Sequence, residues 1–417
     1  MLDFRPPLDS PALIRFVKLA MPMFMKYALH DTRVVPVEGA VERFKQHKGK
    51  RALVCPNHAN RHDPMTMFSF SGTVGEDFNF IAAREVFDWD NGRNGWWLQH
   101  LGVYSVVRGA ADRESFKTTK RLLCEGKKKL VLFPEGEISR QNDTLMPLES
   151  GAGQMAFWAM DEMAKKGDHD APMVIIPMAL KYTYEVDIKR SLANTIAQLE
   201  ERLSLQGNSD DAHLYERLRK ISETLLDTLE KEYGFKPKAD ASLNDRVIAL
   251  RGFILENVAR QLNCSINSNG RQLESVRVLR NAMDDFIYAD EHEASEYQKK
   301  VHTEKSSMLK GLYNDLDRVV NFIAIYDGYL KENLSQERFS DILDRLEREV
   351  MRTREPSFHG PRRVLVDVGN AIDVRELYPN YKTEKKATIA KVTEQLGSEM
   401  SRLLIGLDQY RKPLLVG

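Results

Sequence analysis

The chain has 417 residues, of which 42% are hydrophobic and 29% are charged. This balance is typical of a folded globular protein and excludes a mainly disordered chain or a protein with many membrane spans. The 61 basic and 61 acidic residues cancel, so the net charge gives no reason to expect nucleic-acid binding. At roughly 100–200 residues per domain, the length predicts two or three structural units, or one unit with a large insertion.

The cysteines and the N-terminal sequence indicate the compartment. Cys55, Cys124 and Cys264 are far apart and odd in number, which fits neither a disulfide framework nor a zinc site and predicts a reducing environment. We find no secretory signal pattern. The longest apolar run near the start, residues 19–25, is much shorter than the about 20 residues that a membrane-spanning helix needs. We therefore expect a cytoplasmic protein.

Residues 1–34 form the first segment, in which residues 10–29 combine many apolar side chains with Arg15, Lys18 and Lys26. This pattern allows two interpretations. The helix could lie in a membrane interface with its cations at the headgroups, or it could dock on its own domain, as amphipathic helices usually do. Pro22 is expected to kink or split it.

Residues 35–189 carry short apolar runs that alternate with helical patterns; the runs are ALVCP, FNFIAA, GVYSVV, KLVLF and MVIIPMAL. This alternation predicts an α/β domain with a mixed sheet flanked by helices. Functional residues of such sheets gather in the loops at the strand ends.

Residues 190–355 are charged and helix-periodic, as in LYERLRKISETLLDTLEKEYG, which predicts a large all-helical insertion before the last strand. The insertion is either a structural elaboration or an arm that binds a partner. Residues 356–417 contain the strand-like run RRVLVDVGNAIDV and a helical pattern near 383–411. We expect this last segment to complete the sheet.

The first chemical motif, Asn57-His58-Ala59-Asn60-Arg61-His62-Asp63-Pro64, follows the apolar run ALVCP. A turn after the strand can bring His58 and Asp63 together. Acyl transfer to an alcohol needs a base with a pKa near neutrality, a task to which imidazole is suited. A carboxylate on the far ring nitrogen fixes the tautomer and stabilises the imidazolium. The sequence therefore predicts His58 as general base and Asp63 as its partner.

Other interpretations of these residues compete. Asp63 and Pro64 fit an ordinary helix start, with Asp at the N-cap and Pro at the first helical position, a role compatible with catalysis. A metal site of His58, His62 and Asp63 is the other alternative, but residues that leave a strand need not share one helical face, and no metal is expected. Cys55 lies within the apolar run and is interpreted as a core residue.

Four blocks in order carry a resemblance to a known family: HANRHD, FIAAREVF leading to LGVYSVVRG, VLFPEGEIS and VIIPMAL. Over about residues 35–185 the chain resembles the glycerolipid acyltransferases, which include lysophosphatidic acid and glycerol-3-phosphate acyltransferases. The resemblance implies transfer of a fatty acyl group from acyl-CoA or acyl-ACP to a lipid hydroxyl, no bound cofactor, and a peripheral position on the inner face of a membrane. RRVLVDVGNAIDV resembles the closing strand and glycine turn of the family, whereas the insertion has no counterpart.

The resemblance also implies binding residues for the acceptor. In the family, basic residues of the second block line the acceptor pocket, which corresponds to Arg84, where lysine is usual, and Arg108. Guanidinium groups bind phosphate oxygens in pairs, although each arginine could instead form a surface ion pair. Glu135 and Gly136 of the third block correspond to further acceptor-site residues, with a simple turn as the alternative. Pro177, in the fourth block, is expected to shape the acyl pocket.

One departure from the family concerns Glu137 and Ile138, which stand where many members have threonine and arginine. The change removes a cation and adds a carboxylate. Arg140, two positions after Ile138, is the candidate to replace the missing cation. A phosphate-bearing acceptor is favoured, and the alternative is a non-phosphate lysolipid whose hydroxyl or amine meets Glu137. A metal-dependent hydrolase and a non-catalytic, membrane-associated interaction protein are the remaining alternatives; the latter leaves the His58–Asp63 pair unexplained.

Overall fold

The computed structural model describes residues 4–29, 32–107, 112–168, 172–205, 213–267, 272–287, 309, 311–322, 334–353, 355–411 and 414. Within these ranges the strands are β1 Arg33–Pro36, β2 Arg51–Pro56, β3 Phe78–Ala83, β4 Val103–Val106, β5 Lys129–Val131, β6 Met173–Tyr184, β7 Arg362–Val368 and β8 Ile372–Asp373. They form one eight-stranded sheet in the order β1-β7-β6-β2-β5-β3-β4, with β8 paired to β6. β7 and β8 run antiparallel to β6, and the other pairs are parallel. The predicted mixed α/β sheet is confirmed.

The helices of the α/β part before the insertion are α1 Pro11–Tyr27, α2 Ala40–Lys45, α3 Asp63–Val74, α4 Arg93–His100, α5 Arg113–Glu125 and α6 Gly151–Lys165. The helical region between β6 and β7 contains α7 Lys189–Arg202, α8 Leu214–Tyr233, α9 Leu243–Gln261, α10 Gln272–Ile287, the helical residues 311–322 and α11 Gln336–Met351. The chain then continues with α12 Val374–Thr383 and α13 Lys385–Gly406. The predicted helical region before the last strands is therefore confirmed.

The C-terminal part differs in detail from the sequence prediction. The run RRVLVDVGNAIDV forms the expected strand, β7, and turns at Gly369, whose N–H donates to the Pro177 carbonyl at 2.9 Å. A short second strand, β8, follows the turn and was not predicted. α12 was not predicted, whereas α13 and the short 3₁₀ turn Leu407–Tyr410 account for the predicted final helix.

The centre of the sheet is buried on both faces, as its uninterrupted apolar runs predict. All twelve residues of β6 are buried. One face packs against α2 and α3, including Phe44 and Phe70, and the other packs against α5 and α6, including Leu123 and Phe157. The insertion has a separate apolar core, which joins the sheet domain at Tyr184 of β6.

The N-terminal helix α1 has two apolar faces. Ile14, Met21 and Met25 are buried against the domain, as the docked-helix interpretation predicts. Pro22 does not split the helix, which continues from Pro11 to Tyr27; buried methionines on both sides of the proline hold it against the domain. Across the described ranges, no helix is both long enough and apolar enough to cross a membrane.

Candidate active site

His58 and Asp63 lie at the carboxyl end of β2, in and directly after the loop that leads into α3. The loop brings His58 Nδ1 to 3.0 Å from Asp63 Oδ2. The His58 side chain is 15% exposed and that of Asp63 is fully buried. The imidazole also stacks on the Phe133 ring, with 4.2 Å between the ring centroids. The predicted contact is therefore present, with a buried carboxyl and a partly accessible imidazole.

Asp63 is the first residue of α3, and His62 is the N-cap. The prediction that Asp63 itself is the N-cap is thus wrong by one position. The reason is that its carboxylate turns back to the loop, where Oδ2 accepts the N–H of Asn60 at 2.7 Å as well as facing His58. The carboxylate therefore holds the loop and the imidazole together.

Tyr182 is a site residue that sequence reasoning missed. Its hydroxyl donates to Asp63 Oδ1 at 2.6 Å, so both carboxylate oxygens are hydrogen-bonded, as a buried charge requires. Burial, and after it the neighbouring Asp63 carboxylate, raises the pKa of Tyr182 well above its ordinary value. The tyrosine thus remains a donor that orients Asp63. Tyr182 lies on β6, beyond the fourth block, and only the pairing of β6 with β2 brings it near.

Glu135 lies in the loop after β5 and is fully buried. Its Oε1 accepts the backbone N–H of His58 at 2.5 Å, and its Oε2 accepts that of Met146 at 2.8 Å. Burial raises the pKa of Glu135 to about 8. These contacts give Glu135 a positioning role at the backbone of His58; the acceptor-binding role stays a prediction.

Gly136 follows with φ +70°, in the left-handed region that favours glycine. A Cβ at this position would lie 2.7 Å from Arg277 Nη2, which donates to the Glu135 carbonyl at 3.0 Å. A side chain at position 136 would therefore displace an arginine of the insertion. The acceptor-binding role of Gly136 stays a prediction.

Three arginines are predicted to bind the acceptor, and the described ones have different surroundings. Arg84 follows β3, at the same edge of the parallel sheet as His58, and is buried with a 2.8 Å hydrogen bond to Asp88. Arg108 lies outside the described residues. Arg140 donates to Asn321 Oδ1 at 2.6 Å, and burial lowers the pKa of its guanidinium. The described partner of Arg140 is thus in the insertion, and the binding roles of all three stay predictions.

The departure at Glu137 has a structural explanation. Glu137 Oε1 accepts a hydrogen bond from Arg280 Nη1 of α10 at 2.7 Å, and the Glu137 side chain is only 10% exposed. The carboxylate is therefore balanced by a cation from the insertion. The alternative of a non-phosphate acceptor depends on a hydroxyl or amine that meets the Glu137 carboxylate. The ion pair with Arg280 makes this carboxylate less available for such a contact.

The two histidines of the alternative metal site form hydrogen bonds with different partners. His58 Nδ1 faces Asp63, whereas His62 Nε2 accepts from Arg61 Nε at 3.1 Å. Among the residues that the structure describes, a converging set of potential metal ligands is formed elsewhere, by Asp344, Glu347 and His359. Both Glu347 oxygens already accept from Ser357, and His359 Nδ1 faces Ser191, so hydrogen bonds within the protein account for this set.

Cys55 lies in β2 with no exposed surface. Burial raises the pKa of its thiol far above the ordinary range, and a buried neutral thiol is a poor nucleophile. Its interpretation as a core residue is confirmed.

Comparison with known proteins identifies the segment that carries this geometry. No curated protein matches the chain. The match to a protein family covers β1 through most of β6, including His58, Asp63 and the Glu135 loop, and excludes the helical insertion and the C-terminal strands. Residues 31–181 match the family described as Acyltransferase, so this segment of the chain is similar to that family.

Proposed function

We propose that the protein transfers a fatty acyl group from acyl-CoA or acyl-ACP to a hydroxyl of a lysophosphatidic acid or glycerol-phosphate-type acceptor. The observation that carries the proposal is the hydrogen-bonded pair of His58 and Asp63, inside the segment that matches the acyltransferase family. No bound cofactor takes part in this proposal, and the thioester is a substrate.

The geometry supports a direct transfer. With Nδ1 held by Asp63, Nε2 of His58 takes the proton of the acceptor hydroxyl as its oxygen attacks the thioester carbonyl. The new carbon–oxygen bond forms, the carbon–sulfur bond breaks, and the leaving thiolate takes the proton from the imidazolium. Asp63 stabilises the imidazolium meanwhile, the role of the carboxylate in histidine-based acyl transfer.

A phosphate-bearing acceptor rests on the roles that the family resemblance implies for Arg84 and Arg108. Arg84 follows β3 at the His58 edge of the sheet, where phosphate would compete with Asp88 for its guanidinium. Arginine recognises phosphate through paired, charge-assisted hydrogen bonds. Because Arg280 pairs with Glu137, the negative charge of this carboxylate is offset and repels an anionic headgroup less. A non-phosphate lysolipid is retained as the alternative acceptor.

A peripheral position on a membrane is supported by the outer face of α1. Phe16, Leu19, Met23 and Tyr27 recur every three or four residues and are 64%, 83%, 63% and 73% exposed, so they form one apolar stripe. Arg15 and Lys26 belong to the same helix and suit the anionic headgroups of an inner leaflet.

A second apolar surface supports the same position. Trp96 and Trp97 of α4 are also exposed, and the His100 carbonyl of α4 accepts the N–H of Ser10 at the start of α1 at 2.9 Å. Tryptophan side chains favour the membrane–water interface. We propose that this part of the molecule contacts the bilayer that holds the acceptor.

Incubation with labelled acyl thioesters tests the proposed reaction. Acyl-CoA and acyl-ACP are each offered with lysophosphatidic acid, glycerol 3-phosphate and a neutral monoacylglycerol, and the products are identified by mass spectrometry. We expect a labelled ester of a phosphate-bearing acceptor and a free carrier thiol. Labelled fatty acid alone would indicate a hydrolase, and ester formation confined to the neutral acceptor would support the alternative.

A further inference from the structure

The helical insertion reaches into the α/β domain through α11. Arg345 of α11 has no exposed surface, and its two terminal nitrogens donate to backbone carbonyls, Nη2 to Ser139 at 2.7 Å and Nη1 to Asn321 at 2.8 Å. One turn earlier on the same helix, Asp341 Oδ2 accepts the N–H of Asn142 at 2.9 Å. The two side chains therefore bind the two ends of one segment, residues 139–142 of the loop that follows β5.

That loop holds the backbone of His58 on both sides. The Ser139 N–H donates to the His58 carbonyl at 2.8 Å, and Glu135 accepts the His58 N–H. The loop thus fixes the peptide groups that flank the imidazole. Because Arg345 holds Ser139, the insertion is connected to His58 through one intermediate residue.

A second connection leads to Asp63. The Asn142 side chain forms hydrogen bonds with both the N–H and the carbonyl of Tyr182, at 2.7 and 2.5 Å. The Tyr182 hydroxyl in turn donates to Asp63. Asp341 of the insertion is therefore connected to Asp63 through Asn142 and Tyr182.

The interface that transmits these contacts is buried and charged. Arg338 of α11 pairs with Asp143, whose side chain is 1% exposed, at 2.6 Å. Arg280 of α10 pairs with Glu137 of the same loop at 2.7 Å. Asp143 also pairs with Lys181 of β6 and with Arg411, each at 3.0 Å, so its carboxylate joins the insertion to the α/β domain. Removal of one partner from a buried charge is strongly destabilising.

We propose that the insertion is a positioning element of the active site, in which Arg345 and Asp341 hold the 139–142 segment and thereby keep His58 aligned with Asp63. The proposal rests on the proposed function, in which His58 is the general base. Misplacement of a reacting group by about 1 Å costs on the order of 100-fold in rate. Arg345 and Asp341 are therefore positioning residues that lie outside the segment matching the family.

The test compares Arg345→Met with Arg217→Met. Arg217 of α8 is a buried arginine of the same insertion, held by Glu200 at 3.0 and 2.7 Å. Both substitutions remove a buried guanidinium, but only Arg345 contacts the 139–142 segment. For each variant, urea unfolding, kcat, KM and hydrogen exchange of residues 57–63 and 133–146 are measured on the full chain.

We expect Arg345→Met to lower kcat by about tenfold or more with little change in KM, and to speed exchange in both segments. Arg217→Met should leave kcat within about twofold and both segments protected. Should Arg345→Met fail to fold, Arg345→Lys replaces it, with an intermediate loss of kcat expected.

Wild-type kcat and exchange in Arg345→Met would overturn the proposal, as would an equal loss in Arg217→Met, because the effect would then be general destabilisation. If the wild-type protein transfers no acyl group, the proposed function fails. The exchange comparison then still decides whether Arg345 orders the His58 loop.

Discussion

At the scale of single residues, His58 carries the proposed chemistry. We expect His58→Ala to lower kcat by about 10²- to 10⁴-fold, the usual contribution of a positioned general base. Asp63→Asn should be nearly as damaging, because it removes the charge that stabilises the imidazolium. Steady-state kinetics on folded protein measures both, with His213→Ala, an exposed histidine of the insertion, as the control. Unchanged turnover in His58→Ala would refute the mechanism.

Tyr182 permits a finer test of the same pair. Tyr182→Phe keeps the ring and removes one hydrogen bond to Asp63, a loss of about 1 kcal/mol, so we expect kcat to fall about five- to tenfold. Tyr184→Phe is the matched control, because Tyr184 lies on the same strand and bonds Ser340 instead. If both variants lose kcat equally, the hydroxyl of Tyr182 has no special role at Asp63.

The residues of the site differ in how far the sequence predicts them. His58 and Asp63 are five positions apart at a strand exit, so local chain geometry is enough to bring them together. Tyr182 reaches Asp63 only because β6 pairs with β2, and Glu135 reaches His58 only because β5 pairs with β2. Such contacts depend on strand order, which a single sequence does not contain.

At the scale of secondary-structure elements, α1 tests membrane association. We expect the double substitution Phe16→Ser and Leu19→Ser to lower binding to anionic phospholipid vesicles at least about tenfold, since a buried apolar side chain contributes about 1.5–3 kcal/mol. Ile248→Ser with Ile405→Ser, which removes exposed isoleucines from α9 and α13, is the control. Co-sedimentation measures the partition.

Equal co-sedimentation of the α1 variant and the wild-type protein would leave α1 as a helix docked only on its own domain. Raising the salt concentration separates the contributions, because the attraction of Arg15 and Lys26 to anionic lipid is screened, whereas apolar insertion is not. Binding that survives salt but not the double substitution would identify the apolar stripe as the main contact.

The insertion shows why element type is easier to predict than element placement. The apolar periodicity of α8 and α11 predicts helices, and the structure has them. The arginines of α10 and α11 appear in the sequence as ordinary helix-surface charges. Their partners in the α/β domain, such as Glu137 for Arg280 and Ser139 for Arg345, lie more than a hundred residues away, so no local pattern indicates the interface.

At the scale of the whole molecule, the partly buried carboxyl of Asp341 at this interface links stability to pH. Burial raises the pKa of Asp341 to about 7 from an ordinary 3.8, with the neighbouring Asp143 and Asp344 adding to the effect and the Asn142 N–H and Arg345 opposing it. Between these two pKa values the folded protein binds a proton that the unfolded chain has lost. The free energy of unfolding therefore falls as the pH rises from about 4 to about 7.

Asp341→Asn tests this linkage, because the amide still accepts the Asn142 N–H through its oxygen but does not ionise. We expect wild-type protein to lose more unfolding free energy between pH 5 and pH 8 than Asp341→Asn does, by about 1 kcal/mol or more. Urea unfolding at both pH values measures the difference, with Asp240→Asn, an exposed turn carboxylate, as the control. Parallel pH dependence of the wild-type protein and Asp341→Asn would mean that Asp341 keeps its charge in the folded state, held by the cation of Arg345.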